Sequence, residues 1–238
     1  MNIAIIGYGK MGKIIEKSAA KKGHRIVLKI DDSNLEELTI ENLKKADVAI
    51  EFTGPEAAFR NINLCFDAGI PVVSGTTGWL DKYDKVKGRC ELEKLAFFYA
   101  SNFSLGVNIF FKMNQHLAKI MNKFENFDVS VQETHHIHKL DSPSGTAITI
   151  AQDIINEIKR KQNWVKENTE DDKQITIKSF REGKNPGAHT VSYNSPIENI
   201  LITHESKNRE GLAQGALLAA EYIIGKTGVF GIDDLLDI

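Results

Sequence analysis

This sequence has few cysteines, no large excess of charge of one sign and no long apolar run. Each of these features argues against a class of protein. Only two of the 238 residues are cysteines. Cys65 and Cys90 lack the spacing of metal ligands, so we expect two reduced thiols, with Cys65 packed in a core, as is usual in a cytosolic protein. Neither a disulfide framework nor a cysteine metal site is therefore expected.

Charge and hydropathy argue against two further classes of partner. Thirty Lys and Arg residues against 32 Asp and Glu residues leave a formal net charge of −2, so no global field would attract nucleic acid or anionic lipid. The apolar stretch Leu212–Ile224 is interrupted by Gln214 and Glu221, and no membrane span is predicted. The chain opens on a strand rather than on a signal peptide. We expect a cytoplasmic protein that binds neither nucleic acid nor membrane.

The first 32 residues have the pattern of a βαβ unit with a glycine-rich turn. An apolar strand, Met1–Ile6, leads into the turn Gly7–Gly12, a helical stretch follows to about Lys22, and a second strand ends at Asp31. In this pattern the first glycine permits a tight turn, the second lets a pyrophosphate approach the backbone, and the third lets the helix pack on the strand. Asp31, nineteen residues after Gly12, is placed to accept hydrogen bonds from ribose hydroxyls. This order of elements predicts a dinucleotide site.

A second segment, Glu133–Ala147, concentrates basic side chains beside a helix start. Three imidazoles and one lysine fall within five positions, at His135, His136, His138 and Lys139. A Pro-Ser-Gly-Thr turn and an apolar run at helical spacing follow, so the free N–H groups of a helix N-terminus would lie beside proton donors and suit a carboxylate. In the alternative interpretation, the turn merely caps a helix and the histidines line an exposed strand end.

The order of elements along the chain predicts two kinds of domain. Strands and helices alternate up to about Gly106, which is typical of a doubly wound parallel sheet that binds ligands at the carboxyl ends of its strands. From Val107 onward, two helices and several β-rich stretches, the first of them Phe127–Gln132, predict an α+β domain on an open sheet. The second of these helices is expected over Thr146–Lys161, and Asn163–Lys173 is expected to be a solvated loop.

The two motifs together resemble those of the dihydrodipicolinate reductase family, also called the 4-hydroxy-tetrahydrodipicolinate reductases. The resemblance covers essentially the whole chain. The family's core signature is a glutamate, then His-His, a lysine three residues later and Asp-x-Pro-Ser-Gly-Thr-Ala, and it is intact from Glu133 to Ala147. Further matching motifs are Glu51–Thr53, Gly75–Gly78, Ala100–Asn108, Arg181–Gly183, Gly187–His189 and Ile202–His204. The sequence departs from the family at Leu212, where an aromatic residue is common, and its glycine turn is one residue shorter than that of some members.

The resemblance implies a fold, a reaction and an assembly. The fold would be α/β, with a Rossmann-type doubly wound parallel sheet in a dinucleotide-binding domain of residues 1–106 and 209–238. Residues 107–208 would form an α+β substrate-binding and oligomerisation domain with an open mixed sheet, assembled as a homotetramer. The enzyme would use NADH or NADPH, and no metal, to reduce a small cyclic imine that carries two carboxylates. Because Asp31 would repel a 2′-phosphate and no Arg or Lys follows in the next three positions, we expect NADH to be preferred. This reaction belongs to the diaminopimelate route to lysine.

The resemblance also implies roles for individual residues. His135 and Lys139 would be the catalytic pair, which protonates the ring as hydride arrives. The substrate carboxylates would be held by His136, Ser144, Gly145 and Thr146, with Thr77 near both ligands. The cofactor would be held by Gly7, Tyr8, Gly9, Lys10, Met11, Gly12, Asp31, Gly75, Thr76, Thr77, Ala100, Ser101, Asn102 and Phe103. Residues interpreted as structural are His138 and Asp141, and those with no assigned chemistry are Arg181, His189 and His204.

Two other classes of protein stay open on the residues alone. His135, His136 and His138 with Glu133 would offer zinc ligands, although a lysine beside a metal is electrostatically awkward and the Ser-Gly-Thr turn would lack a purpose. A regulatory protein could also use this fold to sense the cofactor without turnover. Among enzymes, aspartate and homoserine dehydrogenases share the glycine pattern, but neither explains Glu133–Ala147.

Overall fold

The computed structural model describes residues 1–166 and 168–237, and the chain divides into two compact units. Unit 1 comprises Met1–Leu105 and Glu210–Ile238, and unit 2 comprises Gly106–Arg209, so each boundary lies one residue from the expected position. Glu167 and Ile238, which fall in the expected loop and in the expected first domain, lie outside the described residues. Among the helices of the described ranges, none has the length and apolar character that a membrane crossing needs.

A parallel sheet forms the centre of unit 1. Its strands, within the described residues, are β1 (Asn2–Ile6), β2 (Arg25–Ile30), β3 (Val48–Glu51), β4 (Val72–Ser74), β5 (Ala96–Tyr99) and β11 (Gly228–Phe230). They lie in the order β11-β5-β4-β3-β1-β2, and all of their pairs are parallel. The α-helices of this unit are α1 (Lys10–Lys21), α2 (Ile40–Leu43), α3 (Pro55–Asp67), α4 (Tyr83–Leu92), α7 (Glu210–Ile223) and α8 (Ile232–Leu236). The expected doubly wound parallel sheet is confirmed.

Both faces of this sheet are buried, because successive residues of a strand point to opposite faces. Ile3 and Ile5 of β1 enter one apolar cluster, whereas Ala4 and Ile6 enter the other. The helix α7 covers the Ile3 face with small side chains, among them Ala213, Ala216, Ala219 and Ala220. After it, β11 adds a strand beside β5, so the C-terminal segment completes unit 1.

Unit 2 is built on a mixed sheet with helices on one face. Its strands, within the described residues, are β6 (Asp128–His135), β7 (Asn163–Val165), β8 (Gln174–Arg181), β9 (Ala188–Asn194) and β10 (Asn199–Glu205), in the order β10-β9-β6-β8-β7. The pairs β6–β8 and β7–β8 are parallel, and β6–β9 and β9–β10 are antiparallel. Helices α5 (Leu105–Met121) and α6 (Gly145–Glu157) share a core with the sheet residues Val129, Val131, Ile175, Ile177 and Val191. This confirms the expected α+β unit with an open mixed sheet.

Three sequence-based boundaries are wrong, and each error has a tertiary cause. The expected Asn163–Lys173 loop begins with β7, because Trp164 packs against the apolar core and this strand pairs with β8. The expected helix over Thr146–Lys161 ends at Glu157. The chain leaves it at Ile158, and the buried Lys161 then pairs with Asp128 at 2.6 Å. The third error concerns β6, which continues beyond the expected Gln132 to His135 because its end pairs with both β8 and β9.

Candidate active site

The glycine turn after β1 leaves a helix N-terminus open. Gly7 has φ +97°, and a Cβ there would lie 1.9 Å from the carbonyl oxygen of Phe52. A Cβ at Gly12 would lie 2.6 Å from the carbonyl oxygen of Gly7, so the close approach of α1 to the turn also requires glycine. Gly9 precedes α1, where no described side chain caps the helix and no acidic residue lies in its first turn. Its free N–H groups and positive dipole end therefore suit an anion.

A cavity of about 510 Å³ lies beside this turn within unit 1. Apolar side chains, including Ile30, Leu35 and Leu38, line it together with Asp31 and Arg60. The Asp31 Oδ1 atom accepts hydrogen bonds from the Ser33 hydroxyl at 2.6 Å and the Ser33 N–H at 2.8 Å. These bonds, the hydroxyl first, hold the pKa of Asp31 below its ordinary value, so the cavity contains an ionised acceptor suited to ribose hydroxyls.

A second cavity, of about 310 Å³, joins the glycine turn to the loop after β4. The predicted cofactor residues that line it are Gly7, Gly9, Lys10, Met11, Gly75, Thr76 and Thr77. Ala100, Ser101, Asn102 and Phe103 follow β5 but line neither of these two cavities. Phe103 is buried and packs on Phe52, with ring centroids 5.6 Å apart. Tyr8 lines the first cavity, and its hydroxyl donates a hydrogen bond to Glu16.

A buried carboxylate organises the loops of this second cavity. Glu51, at the end of β3, is fully buried and accepts hydrogen bonds from the hydroxyls of Thr53, Ser74 and Thr76. The Thr76 hydroxyl oxygen also accepts the Thr53 N–H at 2.8 Å. The loops after β3 and β4 are thus joined through one acid. In the sequence, Glu51 was visible only as part of a family motif.

In unit 2, a second buried carboxylate lies at the centre of the histidine segment. Glu133 is fully buried on β6, and both of its oxygens accept the Ser144 N–H, at 3.0 and 3.1 Å. Arg181 Nη2 lies 3.3 Å from Glu133 Oε1, while His135 Nδ1 lies 3.4 Å and His189 Nε2 3.8 Å from Oε2. Burial alone would raise the pKa of Glu133, but hydrogen bonds, those from Ser144 first, hold it below its ordinary value.

Two of the imidazoles are buried side by side. The His135 and His189 rings meet edge to face, with centroids 5.1 Å apart. Burial lowers the pKa of His135, although the charge of Glu133 opposes the shift. For His189, burial and then the nearby His135 lower the pKa to about 4. Neutral imidazoles are therefore favoured in the free protein near neutral pH.

Lys139 lies in the loop that follows β6. Its Nζ atom lies 2.8 Å from the Asp141 carboxylate. Arg181 crosses beneath this loop and donates to the carbonyl oxygens of Lys139, at 3.3 Å, and Asp141, at 2.5 Å. Hydrogen bonding from Lys139 lowers the pKa of Asp141. Arg181 thus connects the lysine loop to Glu133.

The predicted substrate residues Ser144, Gly145 and Thr146 form the N-terminus of α6. Ser144 caps the helix, since its Oγ atom accepts the Ala147 N–H at 3.2 Å. No acidic residue lies in the first turn. His136 is half-buried and its ring centroid lies 6.3 Å from that of the exposed His138. The helix start predicted to receive a carboxylate is therefore built as expected, with Glu133 behind it.

The zinc alternative does not fit this arrangement. Among the described residues, the potential metal ligands that approach one another are Glu133, His135 and His189, within 4.8 Å. His136 and His138, which the alternative required, are not among them. Glu133 already accepts hydrogen bonds from Ser144 and Arg181, and a guanidinium next to the carboxylate repels a second cation.

Comparison with known proteins now identifies the family. Sequence profiles described as "Dihydrodipicolinate reductase, N-terminus" and "Dihydrodipicolinate reductase, C-terminus" match residues 1–103 and 106–236. The chain belongs to the dihydrodipicolinate reductase family. The 4-hydroxy-tetrahydrodipicolinate reductase of Christiangramia forsetii is 50% identical and aligns with 99% of this chain and 98% of its own length. That of Archaeoglobus fulgidus is 34% identical over the full length of both chains.

A solved structure supports the fold of this chain. The dipicolinate-bound dihydrodipicolinate reductase of a Paenisporosarcina species has a TM-score of 0.81, with 24% identity over 98% of both chains. At that identity the likeness shows the fold alone. The resemblance read from Glu133–Ala147 and the glycine turn is confirmed at the level of the family.

Several residues around Glu133 had no catalytic or binding role in the sequence analysis. Glu133 was only a signature residue and a possible zinc ligand, and Arg181 and His189 had no assigned chemistry. Asp141 was interpreted as structural, and it proves to be the partner of Lys139. One local signal existed: Glu133 and His135 are two positions apart, so on a strand they face the same side.

Proposed function

We propose that this protein is an NAD(P)H-dependent 4-hydroxy-tetrahydrodipicolinate reductase, an oxidoreductase that converts 4-hydroxy-tetrahydrodipicolinate to tetrahydrodipicolinate and water. The observation that carries the proposal is the Glu133–Ala147 segment, in which His135 and Lys139 accompany the N-terminus of α6. Such a site suits a small dicarboxylate that must also receive a proton. The names of the two relatives, and the dipicolinate bound to the Paenisporosarcina protein, agree with it.

The residues of unit 1 fit a pyridine dinucleotide, which supplies hydride when bound. The open N-terminus of α1 and the free space at Gly9 would receive the pyrophosphate, with Tyr8, Lys10, Met11 and Gly12 around it. Asp31 would accept the ribose hydroxyls. The nicotinamide half would be held by Gly75, Thr76 and Thr77 and by Ala100, Ser101, Asn102 and Phe103.

The residues of unit 2 would bind the substrate and move the proton. Ser144, Gly145 and Thr146 would hold one carboxylate at the α6 N-terminus, and His136 and Lys139 would contribute positive charge and hydrogen bonds. Thr77, which lines the smaller cavity of unit 1, is the remaining residue proposed to contact a ligand. His135 and Lys139 would form the pair that protonates the ring. His135 would be charged for this step, because a bound dicarboxylate raises the pKa of a neighbouring imidazole and Glu133 already supports its charged form.

The test of this function is oxidation of NADH and NADPH in the presence of the product of dihydrodipicolinate synthase, generated in situ. Substrate-dependent oxidation supports the proposal. Tight dinucleotide binding without turnover would favour the regulatory alternative. Activity that is lost on chelation and restored by zinc would favour the metal alternative.

The first prediction concerns the choice of cofactor. We expect both cofactors to be used, with a higher kcat/KM for NADH, because ionised Asp31 repels a 2′-phosphate. Lys10 and Lys13, and Arg60 in the cavity wall, offer cations that would still allow NADPH. Asp31→Ser should reduce or reverse the preference several-fold, and Arg60→Gln should selectively weaken NADPH use. A wild-type enzyme with clearly higher kcat/KM for NADPH would contradict this assignment of Asp31.

The second prediction concerns assembly. We propose a homotetramer formed through the open face of the unit 2 sheet, where Leu201 is 57% exposed on the edge strand β10 and Phe180 is 41% exposed on β8. Exposed apolar side chains and an unpaired edge strand of this kind are expected to be covered by another copy of the chain. Light scattering should give four times the chain mass. Leu201→Glu should produce smaller species, whereas Leu92→Glu, at an exposed position of α4, should not. A wild-type monomer at micromolar concentration would refute the proposal.

The proposal also places the enzyme in the cytoplasm. Both cysteines are free and buried, and burial raises the pKa of Cys90 to about 11, which leaves it an unreactive thiol. A reduced, unreactive pair is consistent with a reducing compartment. Fractionation of the producing cells would test this location.

A further inference from the structure

Within unit 2, three groups proposed to act on the substrate depend on one residue that would not itself touch it. Glu133 is fully buried, and its carboxylate lies behind the α6 N-terminus. Burying an ionised carboxylate is costly unless hydrogen bonds and opposite charges compensate it. The groups that compensate Glu133 are Ser144, Arg181 and His135, each of which belongs to or supports the proposed substrate site.

We infer that Glu133 is the positioning residue of this site. It orients the turn at Ser144, holds the loop that carries Lys139 and places a negative charge beside His135. The inference rests on the proposed function and goes beyond it, since neither the motif nor the relatives' names give this acid a task. Three separate contacts support it, and they act through three different partners.

The first contact sets the helix N-terminus. The Ser144 N–H points back to Glu133 at 3.0 Å, so it is unavailable to a substrate, and the turn is left to offer the N–H groups of the first helical residues that follow it. The Ser144 side chain is fixed as well, because its Oγ atom accepts from Ala147 and lies 3.3 Å from His189 Nε2. Glu133 thereby fixes the orientation of the turn that would receive a carboxylate.

The second contact reaches Lys139 through Arg181. The guanidinium lies 3.3 Å from Glu133 and donates to the carbonyl oxygens of Lys139 and Asp141. A charge-assisted pair of this kind is stronger than a neutral hydrogen bond and holds planar geometry. Removing either member would release the backbone that presents the lysine.

The third contact is electrostatic. The charged or titratable groups that face His135 are Glu133 on its own strand, Lys139 and Asp141 in the following loop, Arg181 on β8 and His189 on β9. Among them, Glu133 and Asp141 favour the imidazolium, and Lys139 and Arg181 oppose it. Glu133, at 3.4 Å from Nδ1, is the most important of the favourable groups.

The test compares two variants that should move His135 in opposite directions. Glu133→Gln keeps the shape of the side chain but removes its charge, so the pKa of His135 in an NMR titration should fall. Arg181→Gln removes an opposing cation, so this pKa should rise. Both variants should nevertheless lose kcat/KM for the substrate, on the order of 10²-fold for a misplaced site, with a raised KM and unchanged NADH affinity.

Asp128→Asn provides the matched control, because Asp128 forms an ion pair with Lys161 at the start of the strand that ends at His135. It should leave both the His135 titration and kcat/KM unchanged. The inference is wrong if Glu133→Gln folds and shows wild-type kcat/KM, or if both variants shift the His135 pKa in the same direction. Should Glu133→Gln fail to fold, Arg181→Gln alone must still raise that pKa and the substrate KM. An inactive wild-type enzyme would overturn the proposed function. It would not by itself overturn the inference about Glu133, because the NMR titration of His135 does not need turnover.

Discussion

His135→Ala should lower kcat by ~10²–10⁴-fold, the loss that is typical of removing a general acid. NADH affinity should survive, because every residue proposed to hold the dinucleotide lies in unit 1 and His135 lies in unit 2. The pH dependence should change as well. Burial holds the pKa of His135 below its ordinary value near 6.5, and the protonated form is populated only below that pKa. In the wild-type enzyme kcat/KM should therefore fall as the pH rises through the lowered pKa of His135. His135→Ala should no longer show this fall.

The same experiment separates the two members of the catalytic pair. Lys139→Ala should lower kcat and raise KM together, because the ammonium is proposed to serve both as proton donor and as a carboxylate contact. His138→Ala is the matched control, since this imidazole is exposed and does not belong to the buried group of Glu133, His135 and His189. If His138→Ala were as damaging as His135→Ala, with folding and cofactor binding normal, the wrong imidazole would have been assigned to the substrate.

Gly9→Ala should weaken NADH binding about ten-fold or more, which corresponds to at least ~1.4 kcal/mol, while leaving the melting temperature nearly unchanged. A Cβ at this position meets no atom within 4 Å, and the φ of Gly9, −85°, is not in the left-handed region that requires glycine. The added methyl group would therefore occupy only the space proposed for the pyrophosphate. Isothermal titration calorimetry with NADH and a thermal melt on the same sample measure both effects.

Two further glycine variants make this result specific. Gly88→Ala lies in α4, where a Cβ also meets no atom within 4 Å, so NADH affinity should not change and stability should rise by up to ~1 kcal/mol. Gly7→Ala, in contrast, should destabilise unit 1, because its Cβ would collide with the Phe52 carbonyl. Unchanged NADH binding by Gly9→Ala would mean that the pyrophosphate does not lie on the α1 N-terminus.

The features that could be predicted from the sequence are the ones that local chemistry determines. The glycine turn, the acid at Asp31 and the Ser144 cap each depend on a few neighbouring residues, and all three have the expected local geometry. The alternation of strands and helices also predicted the parallel sheet of unit 1, since helical crossovers join parallel strands.

The features that could not be predicted depend on strand pairing between distant segments. Glu133 meets His189 because β6 and β9 pair in that register, and His135 meets Arg181 because β6 and β8 do. The three-residue strand β7 was missed for the same reason, as this short start of an otherwise polar segment forms a strand only against β8. A register is a tertiary property, so the residue motifs near Arg181 and His189 could be seen in the sequence while their chemistry could not.

The most direct measurement is a single turnover with NADH deuterated at the transferable position and the product of dihydrodipicolinate synthase as substrate. The proposed reaction predicts one deuterium in the ring of tetrahydrodipicolinate for each NADH oxidised. His135→Ala should slow this transfer without preventing NADH binding. NADH oxidation that needs no substrate, or that leaves the ring without deuterium, would contradict the assignment of this protein as the reductase.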